Sequence, residues 1–175
     1  MYNKMLTGSL FILAIMATTA YKTVNTQSAQ KGGLYMTLED FSSHKLTALK
    51  SGEKYIPDKR KIYGYQGNDN RSYRLYNKDA YQIMDTEGFF LYYRYVYEAY
   101  TKGKGEVKMD KYYFSRVGSS DIQLLTIENL KSAFPDNHRF HYAIDGLFRT
   151  DRELMAYDSF SKCYKLKYIY NQSLK

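Results

Sequence analysis

The sequence predicts an α+β domain, a twisted antiparallel β-meander of about five strands followed by about three C-terminal helices packed on one face of the sheet. Three observations carry that reading. Between residues 61 and 117 apolar and aromatic side chains recur with period two, between clusters of turn-forming residues. From Thr126 onward the period becomes helical, with apolar residues three and four apart. The strand-like segments come first and the helix-like ones last, an order that belongs to α+β folds and not to alternating βαβ units.

Gly33-Leu34-Tyr35-Met36 reads as a short strand. It runs into Thr37-Leu38-Glu39-Asp40-Phe41, where Thr37 can cap a brief helical turn and Asp40 can complete a capping-box-like pattern. Lys50 to Asp58 is loop-like, broken by Ser51-Gly52 and Pro57. Lys61 to Tyr65, Ser72 to Tyr76 and Ala80 to Met84 are strand candidates, separated by Gln66 to Asn70 and by Asn77 to Asp79. Both separators are rich in turn formers and have hairpin lengths. The longest candidate strand, Phe89 to Tyr100, leads through Thr101 to Gly105 into a second long one, Glu106 to Val117. Such short connections imply antiparallel neighbours.

Ile127, Leu130 and Phe134 mark a first helix that stops at Pro135. Phe140, Ala143, Ile144, Leu147 and Phe148 mark a second. A third is expected to start at Thr150, capped in a T-x-x-E box with Glu153, and to carry Leu154, Tyr157, Phe160, Tyr164 and Tyr168 on the face that packs against the sheet.

The N-terminus reads as a bacterial-type signal peptide over residues 1–20. Lys4 supplies the basic residue, and the apolar run from Met5 to Met16 is interrupted only by Thr7, Gly8 and Ser9. That run is shorter than the roughly 20 apolar residues of a membrane span, and Thr18 and Ala20 suit cleavage after Ala20. With no Cys beside Ala20, a lipid-anchored product is not expected. Residues 21–31 read as a flexible leader and residues 32–175 as a single domain, giving an exported protein, periplasmic or extracellular, with no stable span after cleavage.

The lone Cys163 rules out an intrachain disulfide, so packing must hold the fold together. The net charge of +8 on an exported chain points away from nucleic acid and towards lipid headgroups, acidic polysaccharide or an acidic partner. The composition is otherwise marked by 21 Tyr and no Trp. Tyrosine covers half-buried pleated surface and also suits interfaces, because one end of the ring is apolar and the other polar.

The segments G-L-Y-M-T-L-E-D-F at Gly33 to Phe41, A-F-P-D-N at Ala133 to Asn137 and A-Y-D-S-F at Ala156 to Phe160 resemble a group of small exported bacterial proteins of uncharacterised function. The resemblance implies export and a single domain. It implies no active site, cofactor or ligand.

No catalytic, cofactor-binding or metal-binding set is expected. His138, His141 and Asp145 can share one face of the second helix, opposite its apolar stripe, but no H-E-x-x-H or Cys pair completes a metal site, and a solvated face explains them. Ser159 and Lys162 match S-x-x-K without the companion motifs of penicillin-recognising enzymes. Cys163, flanked by Lys162 and Lys165, falls near the apolar side of the expected third helix beside Phe160.

The strand from Phe89 to Tyr100 is aromatic on both faces, whereas a strand with one wet face alternates cleanly. It is therefore expected to be covered on both sides, by the helices on one and by a bend of the sheet, a partner or a ligand on the other, with burial inside the monomer the first reading. If a partner supplies the cover, Tyr92, Tyr93, Arg94, Tyr95, Tyr97 and the basic turn residues Lys102 and Lys104 are the expected binding residues. The function they suggest is a non-catalytic exported or envelope binding module for a protein or glycan partner. The alternatives are a small periplasmic hydrolase-type enzyme and a structural accessory of an envelope assembly.

Overall fold

The computed structural model describes residues 32–48, 62–99 and 106–175. The expected signal peptide (1–20), the expected leader (21–31), the expected loop from Lys50 to Asp58, and Lys102 and Lys104 all lie outside the described residues.

The architecture is α+β, and its meander is larger than five strands. One antiparallel sheet holds eight strands in the order β2-β1-β3-β4-β5-β6-β7-β8. Its members are β1 (Gly33–Tyr35), β2 (Thr47–Ala48), β3 (Gly64–Gln66), β4 (Ser72–Tyr76), β5 (Asp79–Asp85), β6 (Phe90–Ala99), β7 (Glu106–Ser115) and β8 (Gln123–Leu124). From β3 to β8 each strand pairs with its successor, as short turns require. The β4–β5 turn is the two residues Asn77 and Lys78 with φ of 48° and 68°, left-handed at both positions as a type I′ hairpin demands.

Between β1 and β2 lies α1 (Leu38–Ser42), started by the expected capping box. Thr37 Oγ1 accepts from the Asp40 amide at 3.0 Å, and Asp40 Oδ2 accepts from the Thr37 amide at 3.1 Å.

The C-terminal helices cover one sheet face. After β8 come α2 (Ile127–Ala133) and α3 (His138–Leu147), close to the expected positions and capped by Thr126 and Asn137. Leu130, Phe134, Phe140 and Ile144 pack with Leu91 and Phe114 of the sheet and with Phe89 just before β6 to form the main core. The rings of Phe134 and Phe140 meet edge to face at 5.7 Å, and Phe140 meets Tyr170 at 5.2 Å.

The expected third helix does not form as one element. Thr150 makes no side-chain cap, and Glu153 Oε2 instead accepts from the Arg149 amide at 2.8 Å. Residues Asp151–Met155 make a 3-10 turn, β9 (Tyr157–Asp158) and β10 (Cys163–Tyr164) make a separate hairpin, and α4 (Lys165–Ser173) follows. The break has a local cause. Asp158 Oδ1 accepts from the Phe160 amide at 2.9 Å and its Oδ2 accepts from Ser161 Oγ at 2.8 Å, a side-chain turn that competes with the helix.

Of the expected stripe only Leu154 is fully buried, while Phe160 is 96% exposed at the hairpin tip. Ser159 and Lys162 sit in that tip and not one turn apart on a helix, and Cys163 lies in β10.

Truncations should therefore separate sharply. Phe140→Ala, emptying a site with 0% exposure, should cost about 3 to 5 kcal/mol. Phe160→Ala should stay within about 0.5 kcal/mol of the parent. Chemical denaturation with matched m-values checks both, and a large loss for Phe160→Ala would contradict the hairpin.

Candidate functional site

Three places gather polar chemistry. The first is Lys167 of α4, fully buried beneath the sheet. An ammonium has three donors, and here they meet three acceptors: Asp85 Oδ1 at 3.2 Å, the Glu87 carbonyl at 2.5 Å and the Phe89 carbonyl. The Nζ also lies 4.2 Å from the centre of the Phe89 ring. Burial lowers its pKa, and the Asp85 charge opposes that shift. Every donor is used, so the group is a strap and not a nucleophile. Lys167→Met should cost about 3 to 5 kcal/mol by orphaning Asp85 and two carbonyls. A melting temperature within a degree of the parent would contradict the strap.

The second place is the opposite sheet face, around Arg74. Strand register sets Arg74, Tyr81, Tyr92, Tyr113 and Ser115 on that face, with Phe41 of α1 against Tyr35 and Tyr63 at centroid distances of 5.2 and 5.6 Å. Arg74 is buried, and among the described residues no carboxylate pairs with it. It donates to Tyr92 Oη at 2.9 Å, Ser115 Oγ at 3.3 Å and the Ser120 carbonyl at 2.8 Å, and lies over the rings of Tyr63, Tyr76 and Tyr92. Ser115 Oγ in turn donates to the Val117 carbonyl at 2.9 Å. Among the described residues no base stands beside this serine; Arg74, Tyr92 and Ser115 spend their polar atoms on one another and on nearby carbonyls.

Tyr92, expected on the partner surface, is instead fully buried in this network. Its even position in β6 points away from the C-terminal helices, where Arg74 and Ser115 enclose its hydroxyl.

Burial raises the hydroxyl pKa of Tyr63, Tyr92, Tyr112, Tyr113 and Tyr164 above the ordinary 10.0. The unfolded chain gives up these protons at lower pH than the native chain. The stability they contribute is therefore complete below about pH 10 and is lost as pH rises through the raised native values. A tyrosinate absorbance titration should show this group ionising together with the loss of far-ultraviolet circular dichroism. Full ionisation with the dichroism intact would contradict it.

The third place is the distal half of β6 and β7. These strands pair along their whole length, from Phe90↔Ser115 to Ala99↔Glu106. Their neighbours stop early. β5 pairs with β6 only at Leu91 to Tyr93, and β8 pairs with β7 only at Tyr113 and Phe114. The Leu125 amide still donates to the Tyr112 carbonyl at 2.9 Å, so residues 94–99 and 106–111 run on as a two-stranded ribbon.

On its helix-side face Tyr93, Tyr95 and Tyr97 stand opposite Tyr112, Asp110 and Lys108. Tyr93 Oη donates to Asp110 Oδ1 at 2.8 Å, and its ring meets Tyr95 at 5.0 Å and Tyr112 at 5.5 Å. Lys108 Nζ sits 3.5 Å from the centre of the Tyr95 ring. Desolvation first, then hydrogen bonding with Tyr95 and Asp110, raises the Tyr93 hydroxyl pKa. Tyr93 is half-buried, Tyr95 is 49% exposed and Tyr97 is 67% exposed.

Arg94 points to the other face, where both of its terminal nitrogens bond Asp79 at 2.7 and 2.6 Å and its guanidinium lies over Tyr81. It braces the ribbon's root. The structure thus brings Tyr93, Tyr95 and Tyr97 together, assigns Arg94 a bracing part and takes Tyr92 inside. Lys108, Asp110 and Tyr112 join the surface although sequence reading passed over them; the hairpin pairing of two ten-residue strands was the signal that could have found them.

The remaining candidates do not assemble. His141 Nε2 lies 2.9 Å from the Phe134 carbonyl and Asp145 pairs with Lys131 at 2.5 Å, so the two do not pair with each other. No group of three or more His, Cys, Asp or Glu able to hold a metal occurs among the described residues. No helix among them is long and apolar enough to cross a membrane. No protein-family model, no curated protein and no solved structure matches the chain, so the case for the site rests on its own geometry.

Proposed function

We propose that the protein is a non-catalytic binding module, exported to the envelope or beyond, that holds a protein or glycan partner on the tyrosine face of the β6–β7 ribbon. The observation that carries this is the exposure of Tyr95 and Tyr97 on a ribbon that has outrun its neighbouring strands. A two-stranded ribbon is marginal in water by itself, and a partner laid on its aromatic face adds the missing cover.

The side chains suit the task. A Tyr ring offers large contact area with only two rotatable bonds, and here Asp110 and Lys108 already restrain Tyr93 and Tyr95, so little entropy remains to be lost on binding. The ring faces accept a sugar or an aromatic or methyl group, and the hydroxyls and Asp110 supply the polar rim. The export expected from residues 1–20 fits such a module, as does the positive net charge if the partner is acidic.

The test is retention of an envelope extract, before and after protease treatment, on the immobilised protein. Tyr95→Ala with Tyr97→Ala should speed dissociation about tenfold or more. Lys102→Gln with Lys104→Gln should mainly slow association and flatten its salt dependence. Circular dichroism must show both variants folded. Equal retention by parent and tyrosine variant would remove the ribbon from the function.

A further inference from the structure

The β9–β10 hairpin carries an anomaly that the ribbon does not explain. Among the described residues Phe160 is the most exposed large apolar side chain, at 96%, and it stands at a tip built to hold it there. Asp158 fixes the turn from both sides through the Phe160 amide and the Ser161 hydroxyl, and these bonds, Ser161's first, keep the Asp158 carboxyl below its ordinary pKa. Lys162 takes a left-handed φ of 52° to close the turn. Strand pairing at Cys163↔Asp158 and Tyr164↔Tyr157 anchors the base, where the Tyr157 and Tyr164 rings meet at 5.2 Å, and the Lys165 amide donates to the Ala156 carbonyl at 2.9 Å.

A ring left in water on a loose loop needs no explanation, since scattered surface hydrophobes are ordinary. This one is held out by a hydrogen-bonded turn. Around it the exposed cations are Lys162 in the tip and Lys165 at the start of α4; Tyr168, on the same helix face as Lys165, is 53% exposed, and Tyr157 is 54% exposed. Asp158 is the one carboxylate in the turn, and its oxygens are spent inside it.

We propose that this hairpin tip docks on an anionic phospholipid surface, Phe160 entering the boundary between headgroups and acyl chains while Lys162 and Lys165 meet the headgroup charge. Apolar tip, flanking lysines and half-exposed tyrosines are the set that an interface of this kind selects: a ring for the hydrocarbon edge, amphipathic Tyr at headgroup level, ammonium groups for the phosphates. The net charge of +8 draws the whole molecule towards such a surface. A single ring and two lysines give reversible attachment, not anchoring. The inference is independent of the ribbon, which is a different element of the fold.

The chain has no Trp, so Phe160→Trp places one reporter at the tip of the full-length protein. Because Phe160 is solvent-exposed, the variant should keep the parent's melting temperature. With phosphatidylglycerol vesicles its emission should shift to the blue and be quenched by lipids brominated near the headgroup. With phosphatidylcholine vesicles at the same concentration it should not shift. In that background Lys162→Gln and Lys165→Gln should each weaken the titration about fivefold, the worth of one lysine near an anionic surface. Emission that stays unshifted with phosphatidylglycerol, even if the protein sediments with the vesicles, overturns the proposal and leaves the tip to a protein pocket. A shift of equal size with phosphatidylcholine overturns it too.

Discussion

The buried ammonium of Lys167 is the contact that locks the helix layer to the sheet. A charge taken out of water is tolerated only when its donors are all satisfied, and the three acceptors come from Asp85, Glu87 and Phe89, all at the β5–β6 turn. That requirement fixes much around it. The chain must turn so that the carbonyls of Glu87 and Phe89 both aim inward, and Gly88 between them, with φ of 73°, lets it do so; a Cβ there would stand 2.8 Å from the Tyr170 ring. The strand register slips between Ile83 and Asp85, next to the ligand carboxylate. With α4 pinned at this end of the sheet, the helices cover the rows of Leu91 and Phe114 and leave the rows beyond Tyr93 bare. The exposed ribbon follows from where the strap is tied.

The second cation, Arg74, serves the other face in a different way. Lys167 has a carboxylate; Arg74 has only hydroxyls, a carbonyl and ring faces. Its delocalised, weakly hydrated guanidinium is the cation for such a setting, since it can lie over aromatic rings while its forked donors reach separate oxygens. This is one use of the 21 tyrosines: each ring fills apolar volume and brings an oxygen with it, so one residue type supplies both core and ligand. On the helix face the same residue recurs along one cross-strand row, Tyr65 and Tyr73, stacked at 4.9 Å, then Tyr93 and Tyr112, with Gln82 of β5 between the two pairs.

What was legible in the sequence was local. Ser72 to Tyr76 is a strand at the expected bounds, and the Thr37 and Asp40 box forms with both of its bonds, because period and capping depend on near neighbours alone. The third helix failed for a reason equally local but of opposite sign. Leu154, Tyr157, Phe160, Tyr164 and Tyr168 fit a helical wheel, yet Asp158 and Ser161 offer the backbone another set of hydrogen bonds, and that set prevailed. At the candidate surface, alternation could sort Tyr92 from Tyr93 by face. It could not say which face was covered, or how far along the strand the cover reached. That depends on where β5 and β8 stop and where Lys167 pins α4, and both are long-range facts. The burial of Arg74 and Lys167 was hidden for the same reason, since a cation in a polar-looking segment gives no sign that distant carbonyls and rings await it.

The two exposed aromatic regions differ in a way that bears on what each can hold. The ribbon tyrosines are tethered by polar partners: Tyr93 to Asp110 through its hydroxyl, Tyr95 beneath Lys108 through its ring. Their polar atoms remain at the surface, which suits a partner that brings hydrogen-bonding groups of its own and would leave any apolar slab poorly matched. Phe160 has no polar atom to satisfy, and its rigidity comes from the backbone beneath it, not from its ring. Such a side chain gains from any medium that excludes water and asks for no directional match, which suits a fluid interface better than a shaped pocket. Tyrosine on the open ribbon and phenylalanine on the hydrogen-bonded tip are therefore not interchangeable, and the division is the one that the proposed partner site and the proposed lipid contact each require.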